Sequence, residues 1–231
     1  MKQVLSIIMF LMISCLSFAQ ATDTLPELER TIKVTDPFYR EDQFYVGVTH
    51  SMLLNQPESF SQRSISIGTN IGFLRDIPIN KQRTFSVAPG FGFALYNLRT
   101  NMLHSDFEPV EFLFDNNPDK NVQKMSYFEI PIEVRWRTSK VHSHKFWRVY
   151  TGVKFSYLLN STLKYQGAFG DFSLKNKDNF ERYNVGMYVS AGFNTWNFYA
   201  YYGFNPLIKS NLTTDNNRLK MINLGLMFYI L

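Results

Sequence analysis

The sequence predicts an all-β fold: a single eight-stranded antiparallel up-and-down transmembrane β-barrel. Three observations lead there. The first is the stretch Met125–Arg137, M-S-Y-F-E-I-P-I-E-V-R-W-R, in which Ser126, Phe128, Ile130, Ile132, Val134 and Trp136 alternate with Tyr127, Glu129, Pro131, Glu133, Arg135 and Arg137. A strand sends successive side chains to opposite faces, so this one has an apolar face and a charged face, as expected with lipid outside and a narrow polar lumen inside. The second is that the pattern recurs in eight segments, most of them long enough for the ~9–11 residues that a tilted spanning strand needs. The third is that the connections alternate between long and short, as in a barrel with short turns on one side of a membrane and long loops on the other.

The first residues are expected to form an export signal. Met1-Lys2-Gln3 is a short positive region, Val4 to Phe18 is almost wholly apolar, and Ser17 and Ala19 are small residues placed for cleavage after Ala19. Residues 1–19 are therefore read as a signal peptide and left out of the fold. A lipoprotein leader with Cys15 as the lipidated residue is the competing reading, but Met12 rather than Leu stands three residues before that cysteine. Residues 20–42, mixed in charge and with two prolines, are expected to form a flexible periplasmic tail. The barrel is expected over residues 43–231.

The elements follow in order. The first strand is Gln43 to Leu54, where Phe44, Val46, Val48 and Met52 alternate with Tyr45, Gly47, Thr49 and Ser51. After the polar loop from Gln56 to Arg63, the second runs from Ser64 to Leu74. Beyond a short connection, Arg75 to Arg83, the third runs from Thr84 to about Leu98. One of its faces carries Phe85, Val87, Phe91, Phe93 and Leu95, and the other carries Ser86, Ala88, Gly90, Gly92 and Ala94. Small residues confined to one face imply the crowded interior of a small barrel. Arg99 to Lys124 is expected to be a long loop before the fourth strand, Met125–Arg137. The short turn from Thr138 to Lys145 leads to the fifth strand, Phe146 to Leu159, which places Arg148, Tyr150, Gly152, Lys154 and Ser156 inside. Asn160 to Glu181 is a second expected long loop. The sixth strand is Arg182 to Asn194, followed by a tight turn at Thr195-Trp196-Asn197. The seventh is about Phe198 to Asn205. After a loop from Pro206 to Asn217, the eighth runs from Arg218 to Leu231.

Composition agrees with this reading. Aromatics make up 16% of the chain, with 22 Phe and 13 Tyr, and they favour both strands and membrane-interface belts. Charged residues make up only 19%, below the roughly 25% of a soluble protein. The one cysteine lies in the leader, so the expected mature chain has no disulfide, thiolate nucleophile or cysteine metal site. Basic residues are scattered, which argues against a nucleic-acid surface. A soluble β-sandwich or lipocalin-like barrel would instead turn its polar face outward.

Candidate chemistry centres on the lumen. Glu129, Glu133, Arg135 and Arg137 on the fourth strand and Arg148 and Lys154 on the fifth face inward, with Tyr127 and Tyr150 beside them. The bland reading is a set of ion pairs filling a barrel just wide enough for its own side chains, because an unpaired buried charge is very costly. The sharper reading is a gate or ion path. In the acidic loop, Asp115-x-Asn117-x-Asp119 starts like a calcium loop. Lys120 then stands where glycine is needed and Ser126 where the bidentate Glu belongs, which excludes an EF-hand. His142 and His144 flank Ser143 in a turn with no Cys, Asp or Glu nearby to complete a metal site. The pairs His50-Ser51 and His104-Ser105 are sequence neighbours and so point to opposite faces of a strand, which argues against a nucleophile–base dyad. Neither metal nor cofactor is expected.

The closing segment, Asn223-x-Gly225-x-x-Phe228-x-Ile230, resembles the carboxy-terminal signal read by the barrel assembly machinery. Together with S-Y-F-E-I-P-I-E-V-R-W-R, Y-T-G-V-K-F-S-Y-L-L, N-L-G-L-M-F-Y-I-L and the F-A-Q leader junction, it resembles the small outer-membrane β-barrel family of Bacteroidota called PorT-like, or porin family. The resemblance covers about Phe44 to Leu231. It implies a Gram-negative outer membrane, both termini periplasmic, and a tie to type IX secretion, for which the family is named. The expected function is a non-enzymatic structural or interaction component of the cell envelope. The alternatives are a narrow channel for ions or small solutes and a lipid-modifying enzyme. Expected partners are outer-membrane lipid and lipopolysaccharide, the barrel assembly machinery during biogenesis, and an envelope protein. Arg75, Lys81, Arg83, Lys140 and Lys145 would give the periplasmic rim a basic face for an acidic partner surface.

Overall fold

Residues 42–57, 59–62, 65–80, 82, 84–104, 112–138, 147–193, 196–209 and 218–230 are described by a computed structural model. The expected leader and all of the expected tail but Asp42 lie outside them, as do His142, His144, Lys81, Arg83, Lys140 and Lys145. The strands are β1 (Gln43–Leu54), β2 (Ile67–Leu74), β3 (Ile77–Pro78), β4 (Phe85–Arg99), β5 (Met102–His104), β6 (Phe112–Phe114), β7 (Lys120–Arg137), β8 (Trp147–Gln166), β9 (Phe172–Lys175), β10 (Tyr183–Phe193), β11 (Trp196–Gly203) and β12 (Lys220–Ile230).

One antiparallel sheet runs β10-β11-β12-β1-β2-β4-β7-β8-β9, and β8 also pairs with β10, which closes the wall. Of the ten strands in that sheet, β3 and β9 are short attachments, so eight form the barrel. Closure pairs the first and last strands, with Phe44 opposite Ile230 and Leu54 opposite Lys220. A closed wall satisfies its backbone groups internally, which is the condition for crossing a bilayer with strands. Gln43 and Ile230 lie at one end, here the termini end. The long connections gather at the other, the loop end.

The alternation read from sequence is the alternation of burial. Along β7 every second residue from Tyr127 to Arg137 is buried, while Ile130, Ile132, Val134 and Trp136 are exposed. The outward wall ends in aromatic belts. Trp136, Trp147 and Trp196 sit at the termini end, Trp147 against Phe193 and Trp196 against Phe228. Tyr157 and Tyr183 pair at 5.3 Å nearer the loop end. Between Trp147 and Tyr157 are about ten strand steps of ~3.3 Å, which at a typical tilt span roughly 25 Å, the height of a barrel's apolar band.

Inside, tyrosine rings lie over glycines. A Cβ on Gly72 or Gly92 would overlap the Tyr45 hydroxyl, and one on Gly186 would overlap Tyr201. The inward glycines make room for rings crossing the lumen. Toward the loop end an apolar cluster closes the mouth, with Phe60, Met102, Phe180, Leu207, Ile208 and Leu219 contributed by the connections.

Several expected boundaries move. The second strand begins at Ile67 rather than Ser64, the seventh begins at Trp196 within the expected turn and ends at Gly203, and the eighth begins at Lys220. The expected loop from Arg99 to Lys124 contains the β5–β6 hairpin and the first turns of the β7 ladder. The expected loop from Asn160 to Glu181 contains the rest of β8, then β9 and a 3-10 turn at Lys177–Asn179. A β-bulge explains the second miss. Ser126 pairs with Asn160 and Tyr127 with Leu158, so Leu159 has no opposite residue. Leu159 and Asn160 are both exposed, and Ser161, Leu163 and Tyr165 then turn inward. One unpaired residue breaks the period of two, the primary signal of a strand in sequence.

Candidate functional site

The site is the lumen, built from inward positions of β2, β4, β7, β8, β10, β11 and β12 and from the β2–β3 turn. Three layers of polar contacts stack from the termini end upward. In the lowest, the Arg137 guanidinium donates to both oxygens of Asp76, at 2.8 and 3.2 Å. Arg135 donates to the same carboxylate at 3.2 Å, and the Ser86 hydroxyl at 2.6 Å. Asp76 and Arg135 have no exposed side-chain surface. Burial alone would raise the Asp76 carboxyl. The hydrogen bonds from Arg137 and Ser86 and the two guanidinium charges outweigh it and hold the group below the usual carboxylate range.

The middle layer is centred on Glu133. One of its oxygens accepts from Arg135 Nε at 2.8 Å, and the other accepts from the hydroxyls of Tyr188 at 3.0 Å and Tyr229 at 3.3 Å. The Arg135 guanidinium stands 4.9 Å from the Tyr150 ring centre, and Arg148 lies farther off, 5.9 Å from the ring of Tyr150 and 6.0 Å from that of Tyr229. In the upper layer Lys154 Nζ lies 3.1 Å from Glu129, donates to the Tyr199 hydroxyl at 3.1 Å, and sits 4.6 Å from the Tyr201 ring centre. Asn70 and Tyr96 also donate to Glu129, and Asn223 donates to Tyr96, each at 3.4 Å.

Glu129, Glu133, Arg135, Arg137, Arg148, Lys154 and Tyr150 therefore all face the lumen, are buried and meet in one network. Tyr127 is inward too and joins through its ring, which packs against Tyr96 at the edge of the apolar cap, with ring centres 5.7 Å apart. Of the expected assembly signal, Asn223 faces in and Phe228 and Ile230 face lipid, while Gly225 sits against the Val48 carbonyl, where a Cβ would overlap backbone. His50 is exposed while its neighbour Ser51 is buried, so the two do point apart.

Sequence reasoning missed Asp76, placed in a connection, and the cross-lumen roles of Tyr188, Tyr199 and Tyr229. Asp76 did carry a signal: it is the lone acid in the basic run from Arg75 to Arg83. Arg75, expected on the rim, is half exposed and lies 3.6 Å from Asp42.

Each buried carboxylate already faces a cation. Two voids lined by described lumen residues measure about 20 and 10 Å³, room for single waters at most. A larger polar cavity of about 520 Å³ lies at the loop end, lined in part by Arg99, Asn101, Asp119 and Lys120. Among the described residues, no three His, Cys, Asp or Glu side chains gather to hold a metal ion.

Residues 18–209 match the family described as outer membrane protein beta-barrel domain. No curated protein matches in sequence. Among solved structures, Ail, the attachment invasion locus protein of Yersinia pestis, is similar in its complex with the heparin analogue sucrose octasulfate, with a TM-score of 0.36 and 14% identity over 84% of this chain and 100% of that one. Ail without the analogue matches at 0.36 and 13% over the same shares. A mutant of Rh. blastica porin matches at 0.21 and 8%, over 83% and 100%. The family match spans most of the closed, belted wall, and this chain is thus an outer-membrane protein that belongs to the outer membrane protein beta-barrel domain family.

Proposed function

We propose that the protein is a non-enzymatic structural or interaction component of the outer membrane, closed to solutes. It would dock an envelope protein through its loop end or its termini-end rim. The observation that carries this reading is the filled lumen: paired charges in three layers, voids of single-water size, and an apolar cap over one mouth. A paired carboxylate is a poor general base, which favours a non-enzymatic role. The termini end is taken as periplasmic, with residues 1–19 removed as a signal peptide and residues 20–42 as a tail on that side. The PorT-like resemblance makes a component of type IX secretion the leading named partner.

The test is a pull-down of the tagged protein from gently solubilised outer membranes, with co-purifying proteins identified. A stoichiometric envelope partner is the expected result. A barrel that comes down alone overturns the docking reading. Planar-bilayer recordings address the channel alternative, which requires a conductance that Glu133→Ala alters.

A further inference from the structure

The outward wall around β8 changes character at the bulge, flanked by β7 and β10 below it and by β7 and β9 above it. Below it, Phe128, Ile130, Phe155, Tyr157, Tyr183 and Val185 line a groove of about 170 Å³ on the lipid side of three adjacent strands. Above it the registers bring lysines together. Lys124 pairs with Thr162 and Thr162 with Lys175, so the two lysines flank one threonine in a single row. Two strand spacings separate them, ~10 Å. Lys164 stands one row further up, opposite Ser173. All three lysines are exposed, and among the described residues none has a carboxylate at ion-pair distance. Exposed cations grouped on one face raise the local attraction for an anion. Ser126, Asn160, Thr162 and Ser173 lie between and beside the lysines on the same outward face. At the groove's upper edge Lys177 Nζ sits 5.5 Å from the Tyr157 ring centre.

We infer that this wall is a binding site for one phosphorylated glycolipid of the outer leaflet. An acyl chain lies in the groove and the headgroup lies on the lysine row. Charge and hydroxyl chemistry select this occupant. Cations ~10 Å apart suit a headgroup bearing more than one phosphate, and the interleaved hydroxyl and amide groups suit sugar hydroxyls. A simple phospholipid offers one phosphate and few hydroxyls. The inference rests on the reading that the loop end faces outward.

The test uses the full-length protein purified from outer membranes and exchanged into nanodiscs containing bis-phosphorylated lipid A, dephosphorylated lipid A or phosphatidylglycerol. Retained lipid is read by native mass spectrometry. Wild type should retain bis-phosphorylated lipid A at least about tenfold better than the other two. The triple variant Lys124→Gln/Lys164→Gln/Lys175→Gln should lose that preference while keeping the heat-modifiable gel mobility of a folded barrel. Equal retention by variant and wild type overturns the site, and equal retention of phosphatidylglycerol overturns the glycolipid assignment. Should the triple variant not fold, the single variant Lys175→Gln, on the attached strand outside the closed wall, must still weaken the preference or the inference fails. Retention in nanodiscs judges the wall whichever way the barrel faces in cells, so failure of the orientation reading is scored separately by surface labelling.

Discussion

Lys154 Nζ lies 3.1 Å from a carboxylate oxygen of Glu129, and both side chains are almost completely buried. Such a pair is favourable only because its other hydrogen bonds are made, here by Tyr199, Tyr96 and Asn70. Removing one partner strands the other charge in the lumen. Lys154→Met alone should therefore destabilise the refolded barrel by about 3–5 kcal/mol, measured by urea unfolding in lipid bilayers. The double variant Lys154→Met/Glu129→Leu should recover most of that loss, since a packed apolar pair is often no worse than an ionic one. A double variant no better than the single would show that the two residues are not coupled.

Asp76 predicts one arm of the acid response. Its folded pKa lies below its unfolded value of ~3.9, so the folded state binds fewer protons in that range. The contribution is complete above the unfolded value and is lost as pH falls from ~3.9 through the folded pKa. Asp76→Asn should flatten the acid side of the stability profile, with unfolding midpoints followed between about pH 2 and 5. An unchanged profile would mean that Arg135 and Arg137 do not depend on this turn.

Crowding of the inward face makes Gly92 intolerant. Valine there would meet the Tyr45 hydroxyl and the Ile71 carbonyl, an overpacking that costs about 1–3 kcal/mol or more. Gly92→Val should lower the urea midpoint, and adding Tyr45→Leu should restore part of it. Lack of any rescue would point to the carbonyl rather than the ring as the obstacle.

Orientation is testable because the only cysteine lies at position 15, within the expected leader. Asp119→Cys, exposed at the loop end, should react with a membrane-impermeant maleimide on intact cells. Gln82→Cys, exposed at the termini end, should react only after the outer membrane is permeabilised. The reverse pattern would turn the barrel over and remove the outer-leaflet basis of the glycolipid site.

Which residues face in and which face out was legible from sequence, because a strand's period of two is a local property that needs no partner. It placed Glu129, Glu133, Arg135, Arg137, Arg148 and Lys154 in the lumen and Trp136 and Trp147 outside. The strand number followed from counting such stretches. The sequence could not say which inward residue meets which, because that depends on how far each strand is staggered when the wall closes. Only closure brings Tyr188 and Tyr229 onto Glu133 and folds Asp76 back beneath two arginines. The extension of β8 was hidden for a related reason: Leu159 is a residue without a partner, and its absence from the ladder is visible only once β7 lies beside it. The row of Lys124, Thr162 and Lys175 likewise exists only in the register of three strands. Local chemistry set the faces, and closure of the barrel set the contacts.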